Sequence, residues 1–96
     1  MNQVQIRLIT NYITAYIKEH TFYVPATEIV RWHSNPPYYA ATIRYDNSII
    51  KVVENDNAYI LTLFNDIDTG RAAAQTFAIN NTQLYPAIHD ILKFVV

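Results

Sequence analysis

Three aromatic residues beside sparse cations, Trp32, Tyr38 and Tyr39, are the side chains whose types and spacing could do chemistry in this chain. Such rings can stack on unpaired bases, and they equally suit a core that buries a large apolar body and satisfies one polar edge. Arg31, Arg44 and Lys51 are the fixed positive charges between residues 21 and 57, set against Glu28, Asp46, Glu54 and Asp56. Three cations supply little non-specific affinity for a phosphate backbone, because that affinity grows with the number of phosphates neutralised. His20, His33 and His89 stand far apart, at no helical or hairpin ligand spacing. With no cysteine there is no thiolate to bind zinc or attack a carbonyl. The spacing therefore predicts no metal, no cofactor and no catalytic residue: a binding protein rather than an enzyme.

Two acidic motifs overlap further along. Asp68-Thr69-Gly70 resembles the core triplet of aspartic proteases, but Asn65, Asp66 and Ile67 precede it where that family has an apolar strand, and a single glycine leaves none for a flap. Residues 65–70 also resemble an oxygen-rich calcium loop. Phe77 falls where the closing glutamate belongs, twelve positions counted from Asp66, so a solvated turn is the expectation.

Length and composition bound the rest. The 96 residues make one domain, 1–96, with room for a single modest core. Apolar residues are 51% and charged residues 16% of the chain, an excess of apolar surface that predicts contact with a second subunit. No stretch approaches the roughly 20 apolar residues of a membrane span, and the first residues lack a signal-peptide pattern, so a cytoplasmic protein without a membrane partner is expected. A formal net charge of -1 provides no global field for nucleic acid or anionic lipid. One glycine beside nine asparagines, thirteen isoleucines and eight tyrosines excludes glycine-rich phosphate loops and fits a viral or mobile-element bias.

The elements that must carry these residues follow from periodicity. Ile6, Ile9, Ile13, Tyr16 and Ile17 recur at helical spacing, predicting an amphipathic helix over 4–19. Thr21 to Val24 is β-prone, and Pro25 suits the first turn of a short helix from about Ala26 to His33. Residues 36–47 allow two readings. Asn35 and Pro36 can open a third helix running to about Tyr45. Alternatively Ala41, Ile43 and Tyr45 alternate with Thr42 and Arg44 as a strand, with Asp46-Asn47 a two-residue turn pairing Ile43 with Ile50. Ile49–Glu54 and Ala58–Phe64 read as a hairpin around residues 55–57. Asn65 to Gly70 reads as a loop, and Arg71 to Ile79 as helix or strand. Leu84, Ile88, Ile91, Leu92 and Val95 share one face of a closing helix, with Pro86 in its first turn.

Residues 13–64 resemble a winged helix-turn-helix. Residues 16–20 are similar to the end of its first helix, Phe22 to Val24 to its short strand, and Ala26-Thr27-Glu28-Ile29 to the opening of its second helix. Ile50-Lys51-Val52-Val53 with Tyr59-Ile60-Leu61-Thr62 is similar to its wing. The resemblance implies a dimeric, DNA-binding transcription regulator. On that reading Arg31, Tyr38, Tyr39, Thr42 and Arg44, with Lys51 on the wing, contact duplex DNA, while Leu84, Ile88, Ile91, Leu92 and Val95 form the homodimer contact.

Two architectures thus stand: a small α+β domain of winged-helix type, with N-terminal helices, a β-hairpin wing and a C-terminal amphipathic helix, or an antiparallel β-meander covered by the N- and C-terminal helices. The second implies a non-enzymatic interaction module, such as a viral or mobile-element regulator or inhibitor of a host protein.

Overall fold

Ile6, Ile9, Ile13 and Ile17, spaced at three and four residues, are all completely buried and fix the orientation of the first helix, α1 (Gln3–His20). Thr10 shares that face and donates its hydroxyl to the Ile6 carbonyl at 2.7 Å, which satisfies a polar group inside an apolar stripe. The helix closes on Thr21, whose backbone N and Oγ1 both donate to the Ile17 carbonyl at 2.9 and 2.7 Å. Nδ1 of His20 lies 2.9 Å from the Tyr16 carbonyl.

The computed structural model describes residues 3–55, 58–65 and 73–96. After α1 come five strands, β1 (Ala26–Trp32), β2 (Tyr38–Tyr45), β3 (Ser48–Asn55), β4 (Ala58–Asn65) and β5 (Ala73–Asn80). A 3-10 turn (Asn81–Gln83) then leads into α2 (Leu84–Val95). Every strand pairs antiparallel with its sequence neighbour, in the order β1-β2-β3-β4-β5. The domain is thus a small α+β fold in which an N-terminal and a C-terminal helix accompany a five-stranded meander.

The strand reading of residues 38–45 holds, and the helical one does not. Asp46 takes a positive φ of 50°, as a tight two-residue turn requires, and Ile43 lies opposite Ile50. Residues 26–33 correct the expectation of a second helix. Ala26–Trp32 is a strand whose seven residues all pair with β2, from Ala26 opposite Arg44 to Trp32 opposite Tyr38. The β-branched residues Thr27, Ile29 and Val30 suit that pairing, and tertiary pairing overrides the helix-start signal of Pro25 and Glu28. A β-hairpin therefore stands where a winged helix would carry its second and recognition helices. Of the segment 71–79, read as helix or strand, the described residues 73–79 belong to the edge strand β5; of the turn expected at 55–57 and the loop expected at 65–70, residues 56–57 and 66–70, with Asp68-Thr69-Gly70, lie outside the described residues.

Strand alternation divides the sheet into two faces. Ala41 and Ile43 of β2, Ile50 and Val52 of β3, Tyr59, Leu61 and Leu63 of β4, and Ile79 of β5 point to one face and are buried. Both helices pack on that face. Leu84, Ile88 and Leu92 of α2 are buried in the same core, and Ile91 and Val95 are partly buried against it. The stripe expected to hold a second subunit is thus used within the chain. Pro86 sits in the first turn of α2, where its missing N–H costs little. No described helix is long and apolar enough to cross a membrane.

Candidate interaction surface on the open face of the sheet

Among the described residues no helix lies on the opposite face, and the registers assemble on it a row that no single segment contains. Val30 lies opposite Ala40, Ala40 opposite Val53, Val53 opposite Ile60 and Ile60 opposite Ala78. One apolar residue from each of the five strands stands in line across the sheet. The next row reads Glu28, Thr42, Lys51, Thr62 and Thr76, and the one beyond it includes Arg44, Ile49 and Phe64. An antiparallel sheet with one solvated face ordinarily alternates apolar-in with polar-out. Here the outward residues of a whole row are apolar instead.

Trp32 and Tyr38 border the row at the β1–β2 end. They pair in register, their rings stack at 6.3 Å between centroids with 20° between planes, and Trp32 keeps 53% of its surface exposed. Lys51 Nζ lies 5.6 Å from the centroid of Phe64 on the neighbouring strand, a cation–π contact that holds the ammonium over the sheet. A shallow depression of about 230 Å³ between Val30, Trp32, Tyr38, Ala40, Lys51 and Val53 gives this end some concavity.

The structure brings together four of the six residues expected to touch DNA. Tyr38, Thr42, Arg44 and Lys51 share the open face, on β2 and β3. Arg31 and Tyr39 are register partners of opposite parity and belong to the helix-bearing face, where Tyr39 packs against the core. The expectation that Tyr39 and Thr42 face outward together required a helix and does not hold in a strand.

A second concavity, an open cleft of about 700 Å³, lies beyond the end of the sheet between the 34–37 loop, the first turn of α1, and Glu54 with Tyr59. Burial raises the Tyr59 phenol above its ordinary value, and the nearby Glu54 and then Tyr85 push it the same way. The cleft offers a carboxylate, phenols and the amides of Asn35, Asn55 and Asn81, groups that can hydrogen-bond a polar ligand. Tyr45 is also raised, chiefly by burial, against a lowering by its hydrogen bond with Ser48, while Asp46 adds to the rise.

One cluster was invisible to sequence spacing. His20 stacks on Tyr16 at 3.9 Å, and His89 meets the same ring edge-on at 5.7 Å. Tyr12 and Tyr85 tie the helices one turn away at 5.2 Å. Two histidines from opposite ends of the chain thus converge on one phenol, which links α1 to α2. Among the described residues no three His, Asp or Glu side chains gather as metal ligands.

Comparison with family models matches none, and comparisons with curated proteins and with solved structures likewise yield no match.

Proposed function

We propose that the chain is a non-enzymatic protein-interaction module that engages a partner protein through the open face of its sheet. The observation that carries this reading is the row Val30, Ala40, Val53, Ile60 and Ala78, apolar in all five strands on the face that carries no described helix. Aromatic residues beside an apolar strip are the composition of interface centres, and Trp32 and Tyr38 supply it. Arg44 and Lys51 outnumber Glu28 on the flanking rows, so the partner segment that fits is an apolar strip bordered by acidic side chains.

A second reading is nucleic-acid binding on the same face. It is favoured by Tyr38, Thr42, Arg44 and Lys51 standing together, with Trp32 stacked on Tyr38 as a platform for bases. Ile60→Lys separates the two. It adds a cation in the middle of the apolar row on a partly exposed site, so the fold is retained. Protein capture that survives high salt and is lost in Ile60→Lys supports the first reading. Steeply salt-dependent binding to duplex or single-stranded DNA, strengthened by Ile60→Lys, supports the second. Capture of the same protein equally by wild type and Ile60→Lys refutes the open face as the docking site.

A further inference from the structure

The helices leave β1 largely exposed, at one end of the sheet. Six of its seven residues are exposed, and Ile29 alone in the strand is half-buried. Five of the eight large exposed apolar side chains among the described residues lie there, Phe22, Tyr23, Val24, Val30 and Trp32: Phe22 and Val24 just before the strand are fully and 78% exposed, and Trp32 at its other end is 53% exposed. The opposite edge, β5, differs. Among its described side chains the exposed ones, Gln75, Thr76, Ala78 and Asn80, are small or polar. An edge strand is normally protected by lysine, proline, a bulge or a covering element, and Ala26–Trp32 contains neither lysine nor proline.

We infer that two copies of this chain pair antiparallel through β1, joining two five-stranded sheets into one of ten strands. The occupant is a second copy because the strand is complementary to itself in one full-length register. A two-fold axis normal to the sheet puts residues of one face opposite residues of the same face. It also places one residue opposite itself. Ile29, the middle residue of the seven, is the choice that pairs all seven. Ile29 then meets Ile29 of the other copy beside the core, and Ala26 meets Trp32, small against large. Thr27 meets Arg31, and Glu28 meets Val30. Centring on Glu28 or Arg31 would instead oppose like charges.

Space and area agree with this pairing. The main strand contacts of α1 are with β2 and β3, so the two α1 helices stand at least three strand spacings apart, about 14 Å, beyond the roughly 8–10 Å of packed helices. Phe22, Val24, Val30 and Trp32 with the strand edge offer on the order of 600–800 Å² per copy, near the about 800 Å² of a standard interface. The excess apolar composition predicted a second subunit. With the α2 stripe spent on the core, this edge is one place where exposed apolar surface is concentrated, beside the open face and the helix residues Val4, Leu8 and Phe94. The two open faces would lie side by side, doubling the docking surface, yet the pairing does not depend on what that surface binds.

The test uses the absence of cysteine. In single-cysteine variants, oxidation is expected to give a covalent dimer with Ile29→Cys and not with Glu28→Cys or Val30→Cys, whose diagonal self-distances of about 7–8 Å are too long for a disulfide. Thr27→Glu, placed opposite Arg31 of the other copy at two symmetric sites, should tighten the dimer several-fold in sedimentation equilibrium, and Thr27→Arg should weaken it by a similar factor. A wild-type chain that stays at 11.1 kDa up to millimolar concentration overturns the inference. So does cross-linking equal at all three positions, or both Thr27 variants moving the affinity the same way. Failure of Ile60→Lys to alter partner capture would leave these results untouched.

Discussion

Val52 and Val53 are neighbours in one strand with opposite destinations, and comparing their alanine variants tests the register of the whole sheet. Val52 is completely buried opposite Ala41 and Leu61, whereas Val53 lies half-buried in the open row. Valine to alanine removes two carbons, worth about 1.6 kcal/mol of transfer free energy at roughly 0.8 kcal/mol each. The cavity left beneath the helices adds about 1 kcal/mol at roughly 24 cal/mol per Å³. Val52→Ala should therefore cost about 2.5 kcal/mol. Val53→Ala loses only partial burial and some strand preference, less than about 1 kcal/mol. At roughly 4–8 °C per kcal/mol for a domain of this size, Val52→Ala lowers Tm by about 10–20 °C. Thermal and urea melts followed by circular dichroism read both variants. Equal losses, or the larger loss at Val53, would refute the assignment of faces, because a one-residue slip exchanges the two positions.

The burial that raises the Tyr45 and Tyr59 phenols keeps them protonated in the folded state at pH values where the unfolded chain ionises. The unfolded state then binds fewer protons, so stability is level below about pH 10 and falls as pH rises beyond it. Tyr45→Phe and Tyr59→Phe should each flatten that alkaline limb in pH-dependent melts, and an unchanged limb in both would contradict the linkage. Asp46 holds a positive φ, so Asp46→Val should lose about 1–2 kcal/mol in urea melts and Asp46→Gly should not. Asn80 accepts a hydrogen bond from the Thr82 backbone N at 3.0 Å ahead of the 3-10 turn, and Asn80→Ala should cost about 0.5–2 kcal/mol by the same measurement.

The outer elements were legible because each carries its own period. Four isoleucines at helical spacing set α1, and the stripe from Leu84 to Val95 set α2. The β2–β3 hairpin was legible in one of two readings, down to Ile43 opposite Ile50, since the Asp46-Asn47 turn determines the register. β1 was not. Within seven residues, proline before Ala-Thr-Glu-Ile satisfies the local rules for a helix start, and only the partner strand decides otherwise. Tyr38, Thr42, Arg44 and Lys51 were singled out and do share a surface, though in strands and not on a recognition helix. The apolar row was hidden because its five members come from five segments and become neighbours only through four registers. The α2 stripe was visible as apolar, but periodicity alone does not say whether such a stripe meets its own sheet or another chain.

The connectivity of the sheet also sets an order of events. Each strand pairs with the one made just before it, so the meander can zip up through short loop closures. The contacts joining Tyr12 to Tyr85 and Tyr16 to His89 instead reach across more than seventy residues, and Leu84, Ile88 and Leu92 come from an element made after the whole sheet. A chain emerging from the ribosome therefore carries a sheet with one face open by design and the other only half roofed until α2 has been synthesised. During that interval Ile79 and its neighbours await their cover, and this is when the nascent chain is most exposed to aggregation and to chaperones.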